Sequence, residues 1–451
     1  MNNATLLKET EIGRICKDWD VVSLAAIKAK KKFAIVDGPF GTQLHSNEYV
    51  DFGVPVVRVN NLSFDGRFLT DDLAYISEDK FNELNRSAIY PGDIVIAKTG
   101  ATIGKLAIFP DTYSHGLVAS SCLKLTVDKE KADIRYVFYF LMSTKGQVQV
   151  KNLAYGSTRD TINLTPFSEI KLPLPPLPEQ RAIAHILGTL DDKIELNRRM
   201  NQTLEAMAQA LFKSWFVDFE PFRNQSMQDS PLGEIPMGWR VVSIKDIAER
   251  VGMGPFGSSI KVETFVPEGI PIISGQHLNQ TLLEDNHYNF ITPLHAEVLK
   301  NSNVFRGDII FTHAGNIGQV AYIPETSQYE RYVISQRQFY LRCDLTKISP
   351  VFVVYFFKTP QGQHALLANT SSTGVPSISQ PVSYLKTIKL VIPPKSLIDT
   401  FHRIVREFHL KIANNVSQAK TLASIRDTLL PKLLSGEIRV KDAEKFVESK
   451  L

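Results

Sequence analysis

The chain has 451 residues, 43% of them hydrophobic and 22% charged, with a formal net charge of +4. That is ordinary globular material for two or three domains, and a small positive balance permits nucleic-acid binding without demanding it. No apolar run reaches the roughly 18 residues of a membrane-spanning helix, and the start of the chain lacks a signal-peptide stretch. Cys16, Cys122 and Cys343 are scattered, with neither metal-type spacing nor an even disulfide set. A cytoplasmic protein without membrane contact is expected.

In chain order, residues 1–17 read as an N-terminal extension. Residues 18–178 are rich in short β-type runs broken by Gly, Pro, Asn and Asp; strands are predicted at 54–59, 93–97 and 122–127 and a helix at 135–143. The prolines at 173–178 close this part. Residues 179–219 follow as a long helix, and 220–235 as a linker. Residues 236–394 return to the first style, with strands predicted at 270–274, 308–312 and 338–342 and a helix at 350–358. Residues 395–436 form a second long helix, and 437–451 a tail.

The long helices carry a 3.5-residue period. Ile183, Leu187, Leu190, Ile194, Asn197, Asn201, Leu204, Ala208, Leu211 and Trp215 alternate spacings of four and three; Phe401, Val405, Phe408, Ile412, Asn415, Ala419, Leu422, Arg426, Leu429 and Leu433 do the same. This is the signature of a coiled-coil seam, in which a buried Asn (Asn197, Asn415) weakens packing but sets register. Helix one must deliver the chain to the second domain and helix two must leave it, so antiparallel packing is expected, with the domains at opposite ends. At about 1.5 Å per residue, such helices hold them roughly 50 Å apart. The expected fold is α+β: two similar globular domains separated by two long antiparallel coiled-coil helices, related by a pseudo-two-fold axis.

The chain repeats itself. Gly38-Pro39-Phe40-Gly41 returns as Gly254-Pro255-Phe256-Gly257, Trp19-Asp20-Val21-Val22-Ser23 as Trp239-Arg240-Val241-Val242-Ser243, and Gly92-Asp93-Ile94 as Gly307-Asp308-Ile309. Ile103-Gly104 returns as Ile317-Gly318, and Leu174-Pro175-Pro176 as Ile392-Pro393-Pro394. A period of about 216 residues is far longer than a solenoid repeat, so each copy is a domain or more. Two similar domains imply two similar surfaces and a target presented twice.

Catalytic signatures are incomplete. Gly100-Ala101-Thr102-Ile103-Gly104-Lys105 is one residue short of a phosphate loop and is followed by Leu106, not Ser or Thr; a turn between strands is the better reading. Asp93 and Lys98 lack the second acid of a nuclease, and His313 stands near the corresponding place in the second copy. No catalytic, cofactor-binding or metal-binding residue is assigned to this chain. Binding residues are better marked. After the first GPFG come Thr42, Gln43 and His45; after the second, Ser258, Ser259 and Lys261. Arg58, Asn60 and Asn61 are matched by a segment holding Gln276 and His277, Lys98 and Thr99 by one holding His313 and Asn316, and Arg159 by one holding Thr373, while Arg337 adds a further polar cluster. Hydroxyls, amides and cations on glycine-bounded loops suit phosphates and base edges. Glycines, prolines and apolar residues repeat between the copies while the polar residues beside them change, as expected if one scaffold reads two sequences. Lys28, Lys30, Lys31 and Lys32 form the one dense basic run, either a solvated face or a phosphate contact.

These joined features resemble the specificity subunit of Type I restriction–modification systems. The likeness rests on the two GPFG segments, the proline exits Leu172-Pro173-Leu174-Pro175-Pro176-Leu177-Pro178-Glu179-Gln180 and Leu390-Val391-Ile392-Pro393-Pro394, the long helices behind them, and the closing run from Leu429 to Ile438. It covers nearly the whole chain, apart from the N-terminal extension and the tail after Gly436. Lys395-Ser396 stands where the family usually continues to Glu-Gln, which touches only the first turn of the second helix. The resemblance implies a non-catalytic subunit whose two target recognition domains read the halves of a split, asymmetric site in double-stranded DNA. It further implies helices that fix half-site spacing and dock two methylation subunits, which carry S-adenosylmethionine and modify an adenine in each half. A restriction motor–nuclease subunit using ATP and magnesium joins for cleavage. Half-sites one turn apart, roughly 34 Å, need a rigid spacer of comparable length. The alternatives are a recognition arm of another methyltransferase–nuclease assembly, a bivalent protein- or glycan-binding scaffold, and an autonomous enzyme.

Overall fold

Strand Ile94–Ala97 contains no polar residue, and in the computed structural model both of its faces are covered. The structure describes residues 7–155, 160–257, 259–371 and 374–449. They form two units, Met1–Glu195 with Ala419–Leu451, and Leu196–Gln418. Each unit holds one globular domain and a section of both long helices.

In the first unit an antiparallel sheet runs Leu106–Ile108, Ile94–Ala97, Cys122–Leu125, Ile35–Asp37. A second runs Tyr49–Val50, Ala74–Ile76, Val54–Val57, Gly116–Val118, Ala88–Ile89, with Val54–Val57 and Gly116–Val118 parallel. Period-2 alternation places Ile94 and Ile96 in a core with helix Ile134–Met142, while Val95 and Ala97 meet Val57 and Val118 of the second sheet. A three-layer domain results. The second unit repeats it: Ala248–Met253, Gln338–Cys343, Ile309–Thr312, Val320–Tyr322 in one sheet, and Phe290–Ile291, Ile270–Ile273, Arg331–Ile334, Asn303–Phe305 in the other, with Ile270–Ile273 and Arg331–Ile334 parallel. Helix Pro350–Lys358 covers the first of these sheets. Each domain is closed by a ribbon pairing its first strand with the last one, which runs into the proline exit: Asp20–Ser23 with Lys171–Leu174, and Arg240–Ser243 with Lys389–Ile392. A two-stranded ribbon leaves an edge where Pro173 costs no ladder bond.

The Gly-Asp-Ile motif has a structural role in both copies. Asp93 accepts from Lys124 Nζ at 3.1 Å, from Thr126 Oγ1 at 2.5 Å and from the Tyr90 amide at 3.0 Å, and both side chains of the Asp93–Lys124 pair are 3% exposed. In the second unit Arg342 holds Asp308 through two bonds, at 2.8 and 2.7 Å. Asp93→Ala strands a buried ammonium and is expected to destabilise the first unit by roughly 3–5 kcal/mol, measurable by denaturant unfolding. The phosphate-loop look-alike is likewise structural. Gly100–Thr102 forms a 3-10 turn, and Gly104 O accepts from Gln147 Nε2 at 2.9 Å, as Gly318 O does from Gln363 Nε2 at 3.1 Å.

The long helices are Leu177–Phe216 and Lys395–Ser435. In the first unit Ile183, Leu187 and Leu190 share a core with Leu422, Leu429 and Leu433, Ile194 lies half-buried against it, and Asp191 pairs with Arg426 at 2.6 Å. In the second unit buried Asn197 donates to Gln418 at 2.9 Å and buried Asn415 to Asn201 at 2.8 Å. Low numbers on one helix meet high numbers on the other in both units, so the sections run antiparallel. The seam, however, is not uniform. Phe401 and Val405 are buried, but Leu204, Leu211, Phe408 and Ile412 are only half-buried. Ala208, a seam position, is fully buried, and at the next two steps of four Phe212 and Phe216 are buried in place of Leu211 and Trp215 and meet Phe352 and Phe401. The physical reason is that each helix section packs on its unit's domain as well as on the other helix, so the buried stripe is wider than a two-stranded seam and follows the 3.6-residue period. Residues 437–449 also belong to a core: Ala443 is buried in the first unit, and Arg439 pairs with Glu179 at 2.9 Å.

Beside the seam of the second unit, Glu205 accepts from Thr281 Oγ1 at 2.5 Å and from Tyr355 OH at 3.1 Å, and Tyr355 OH meets His409 Nε2 at 3.0 Å. Burial, helped by nearby His402, pushes the His409 pKa from 6.5 down to about 4. Below pH 6.5 the unfolded chain takes up a proton that the folded one refuses. Stability is therefore lost as pH falls from about 6.5 to about 4, by up to roughly 3 kcal/mol. Denaturant midpoints measured across that range should show the loss, and His409→Gln should flatten it.

Candidate nucleic-acid interface

In the first unit, Ile35–Asp37 and Ile94–Ala97 both pair antiparallel with Cys122–Leu125, so they point the same way. Val54–Val57 and Gly116–Val118 are parallel in the other sheet. The loops that leave these four strands are 38–45, 98–102, 58–61 and 119–121. Gly38 joins the two edges: a Cβ there would lie 2.1 Å from the Ala119 carbonyl carbon. Lys98 N donates to Ser121 O at 2.9 Å, and Gly100 N to Asp160 O at 2.9 Å, which brings Asp160 to the same place. The second unit builds the same cluster from residues 254–257 and 259–261, 274–277, 313–316 and 335–337. There a Cβ on Gly254 would lie 2.0 Å from Ser335 O. His313 N donates to Arg337 O at 2.9 Å, and Ile378 N to His313 O at 2.8 Å.

The folding of each unit thus gathers segments far apart in sequence onto one end of its two sheets. Thr42, Gln43 and His45 are exposed on the first loop, whose turn is held by Phe40 N donating to Gln43 Oε1 at 3.1 Å. Ser259 and Lys261 occupy the matching loop and are exposed, as are Gln276, Asn316 and Arg337. His313 is half-buried, with Nε2 at 3.0 Å from Gln336 O. Arg159, Ser258 and Thr373 lie outside the described residues.

Several of the expected contact residues are already engaged. Asp72 draws in Arg58, at 3.1 Å, and Asn60, at 3.2 Å; these two partners, Asn60 first, hold its carboxyl below the usual range. Lys98 is 12% exposed and pairs with Asp37 at 2.6 Å, and Thr99 Oγ1 is buried without a hydrogen-bond partner. Asn61 and His277 are not exposed as loop contacts are expected to be. Both are buried, and each pins a short turn by accepting from the backbone three residues earlier, Arg58 N at 2.9 Å and Ser274 N at 3.0 Å. Each side chain is folded back on its own turn, and burial lowers the His277 pKa. Their neighbours Asn60 and Gln276 carry the exposed amides.

Two residues escaped the sequence reading. Phe40 and Phe256, the aromatics of the two GPFG segments, are 66% and 77% exposed. Their signal in the sequence is the repeated Gly-Pro-Phe-Gly segment itself. Lys28, Lys30, Lys31 and Lys32 are exposed, with Lys31 Nζ 5.4 Å from the Tyr90 ring and Lys32 Nζ 4.9 Å from the Phe33 ring. Among the described residues no group of three or more His, Cys, Asp or Glu side chains could hold a metal ion, and no helix is long and apolar enough to cross a membrane. What the loops offer is hydrogen bonding and positive charge.

The architecture defines a class: a duplicated recognition protein whose two α+β domains present equivalent polar loop clusters. The chain belongs to the Type I restriction–modification DNA specificity family, whose model, described as "Type I restriction modification DNA specificity domain", matches residues 17–206 and 236–414. It is 27% identical to the Type I restriction enzyme MjaIX specificity subunit of Methanocaldococcus jannaschii over 97% of this chain and 98% of that one. It is 25% identical to the HindI specificity subunit of Haemophilus influenzae, over 78% and 88% of the two chains. The crystal structure of a Type I S subunit from M. genitalium shares the fold with a TM-score of 0.54 at 17% identity, covering 92% of this chain and 96% of that one.

Proposed function

We propose that this chain is the non-catalytic recognition subunit of a cytoplasmic Type I restriction–modification complex. Each domain reads one half of a bipartite, asymmetric site in double-stranded DNA, and the long helices set the half-site spacing and dock two methylation subunits. Those partners supply S-adenosylmethionine and methylate an adenine in each half; a motor–nuclease partner supplies the ATP- and magnesium-dependent cleavage. One observation carries the reading: in a chain of the DNA specificity family, the same loop cluster occurs twice on one scaffold, with its exposed side chains changed. His45 and Asn60 stand on one, Lys261, Gln276 and Arg337 on the other. Exposed amides and cations of this kind hydrogen-bond base edges and phosphates.

The test is a domain exchange. Residues 236–394 are replaced by those of a relative with a different target, and methylated sites are mapped in cells that also carry the methylation subunits. One half of the motif should change and the other persist. A motif unchanged in both halves removes the assignment. DNA affinity should also fall steeply with salt, which a protein- or glycan-binding scaffold does not require.

A further inference from the structure

We propose that Phe40 and Phe256 are apolar wedges that enter the base stack of the duplex, one in each half-site. The proposal rests on the DNA-recognition reading above and goes beyond it, because it assigns a distortion of the DNA that neither loop's hydrogen-bonding side chains produce. The two rings are 66% and 77% exposed, although Phe is among the residue types most often buried. Nor are they loose. Gly38 and Gly254 seat each loop directly against the backbone of the neighbouring sheet, where no side chain fits. Behind each ring the turn is tied, by Phe40 N to Gln43 Oε1 at 3.1 Å and by Ser259 Oγ to Phe256 O at 2.9 Å. A tied loop holds the aromatic outward instead of letting it fold back onto the domain.

The surroundings indicate what covers it. Each ring stands in the cluster of polar loops assigned to the DNA, beside Thr42, Gln43 and His45 in one unit and Ser259 and Lys261 in the other, and not in an apolar face of the kind a protein partner covers. The comparison of the two copies separates its role from base reading. Polar residues on the loops differ between copies, while the aromatic is the same. A group that serves two different sequences acts on what all duplexes share, the stack of bases. Apolar side chains inserted between base pairs unstack and kink the duplex, and the energy depends on the step: pyrimidine–purine steps open most easily. Each wedge would thus add selectivity at a step that no polar side chain touches.

The experiment uses the full chain in complex with its methylation subunits, and a duplex carrying the site mapped by methylation. 2-Aminopurine is placed in turn at each position except the methylated one. Fluorescence should rise at one step in each half-site. Phe40→Ala should abolish the rise in the first half alone and Phe256→Ala in the second half alone. Each substitution should weaken binding about tenfold, as loss of one aromatic–base contact does. Phe→Leu should retain part of both effects, and thermal unfolding should be unchanged. Unaltered affinity and fluorescence in both alanine variants would overturn the proposal, as would variants that no longer co-purify with the methylation subunits, since the rings would then be covered by protein. A wild-type complex that binds no duplex sinks the DNA-recognition reading itself, a result distinct from both.

Discussion

Gly38→Ala is expected to weaken binding of the target duplex by at least about 100-fold, equivalent to roughly 2.7 kcal/mol. The added methyl group would stand 2.1 Å from the Ala119 carbonyl carbon and 2.2 Å from its oxygen. Both atoms are backbone, in the segment that links Gly116–Val118 to Cys122–Leu125, so neither can swing aside as the end of a long side chain can. The loop from Gly38 to His45 must lift away from the second sheet, carrying Phe40, Thr42 and Gln43 with it. Gly41 provides the comparison. It lies three residues further on in the same loop, and nothing stands within 4 Å of its virtual Cβ. Gly41→Ala should weaken binding far less than Gly38→Ala, since nothing in the protein crowds its added methyl group and the loop keeps its seat. Binding isotherms of the two variants decide the matter: equal affinities would show that the loop does not hold the DNA. Gly254→Ala, 2.0 Å from Ser335 O, should act equally on the second half-site.

Seven residues inserted in both long helices are expected to lengthen the spacer between half-sites by about three base pairs and leave both half-sites unchanged. Seven residues add about 10 Å of helix and turn its faces by only about 20°, so the buried stripe continues across the insertion. About 10 Å of duplex is roughly three base pairs. The structure dictates where the insertions go. Asn197 meets Gln418 and Asn201 meets Asn415, so insertions after Asn197 and after Asn415 lie at one level of the antiparallel pair. An insertion in the first helix alone would push Asn201 past Asn415 and should destabilise the protein. Methylation mapping reads the outcome, and an unchanged spacing in the doubly extended chain would remove the helices from their assigned role.

Much of this molecule is legible one residue at a time. The duplication, the α+β character of each domain and the two long helices behind the proline exits follow from local pattern, because Gly and Pro punctuate the chain and apolar spacing sets the period. The Asn197 and Asn415 positions were equally visible, although their partners, Gln418 and Asn201, were not. Legibility stops where two distant segments compete for one side chain. Asn61 and His277 look like exposed amide and imidazole until the Leu69 and His287 carbonyls close over them. Lys98 reads as free until Asp37 arrives beside it, and Asp93 pairs with Lys124 across neighbouring strands instead.

The sequence by itself therefore determined the elements and the twofold plan, since both depend on short-range rules of backbone conformation and hydrophobic spacing. Only the tertiary structure decided which loops share one end of the paired sheets and that beyond Ala208 the helix turns Phe212 and Phe216 inside, in place of Leu211 and Trp215. Those outcomes depend on close approach between backbones remote along the chain, as at Gly38 against Ala119, and no local pattern encodes what will stand opposite a given atom.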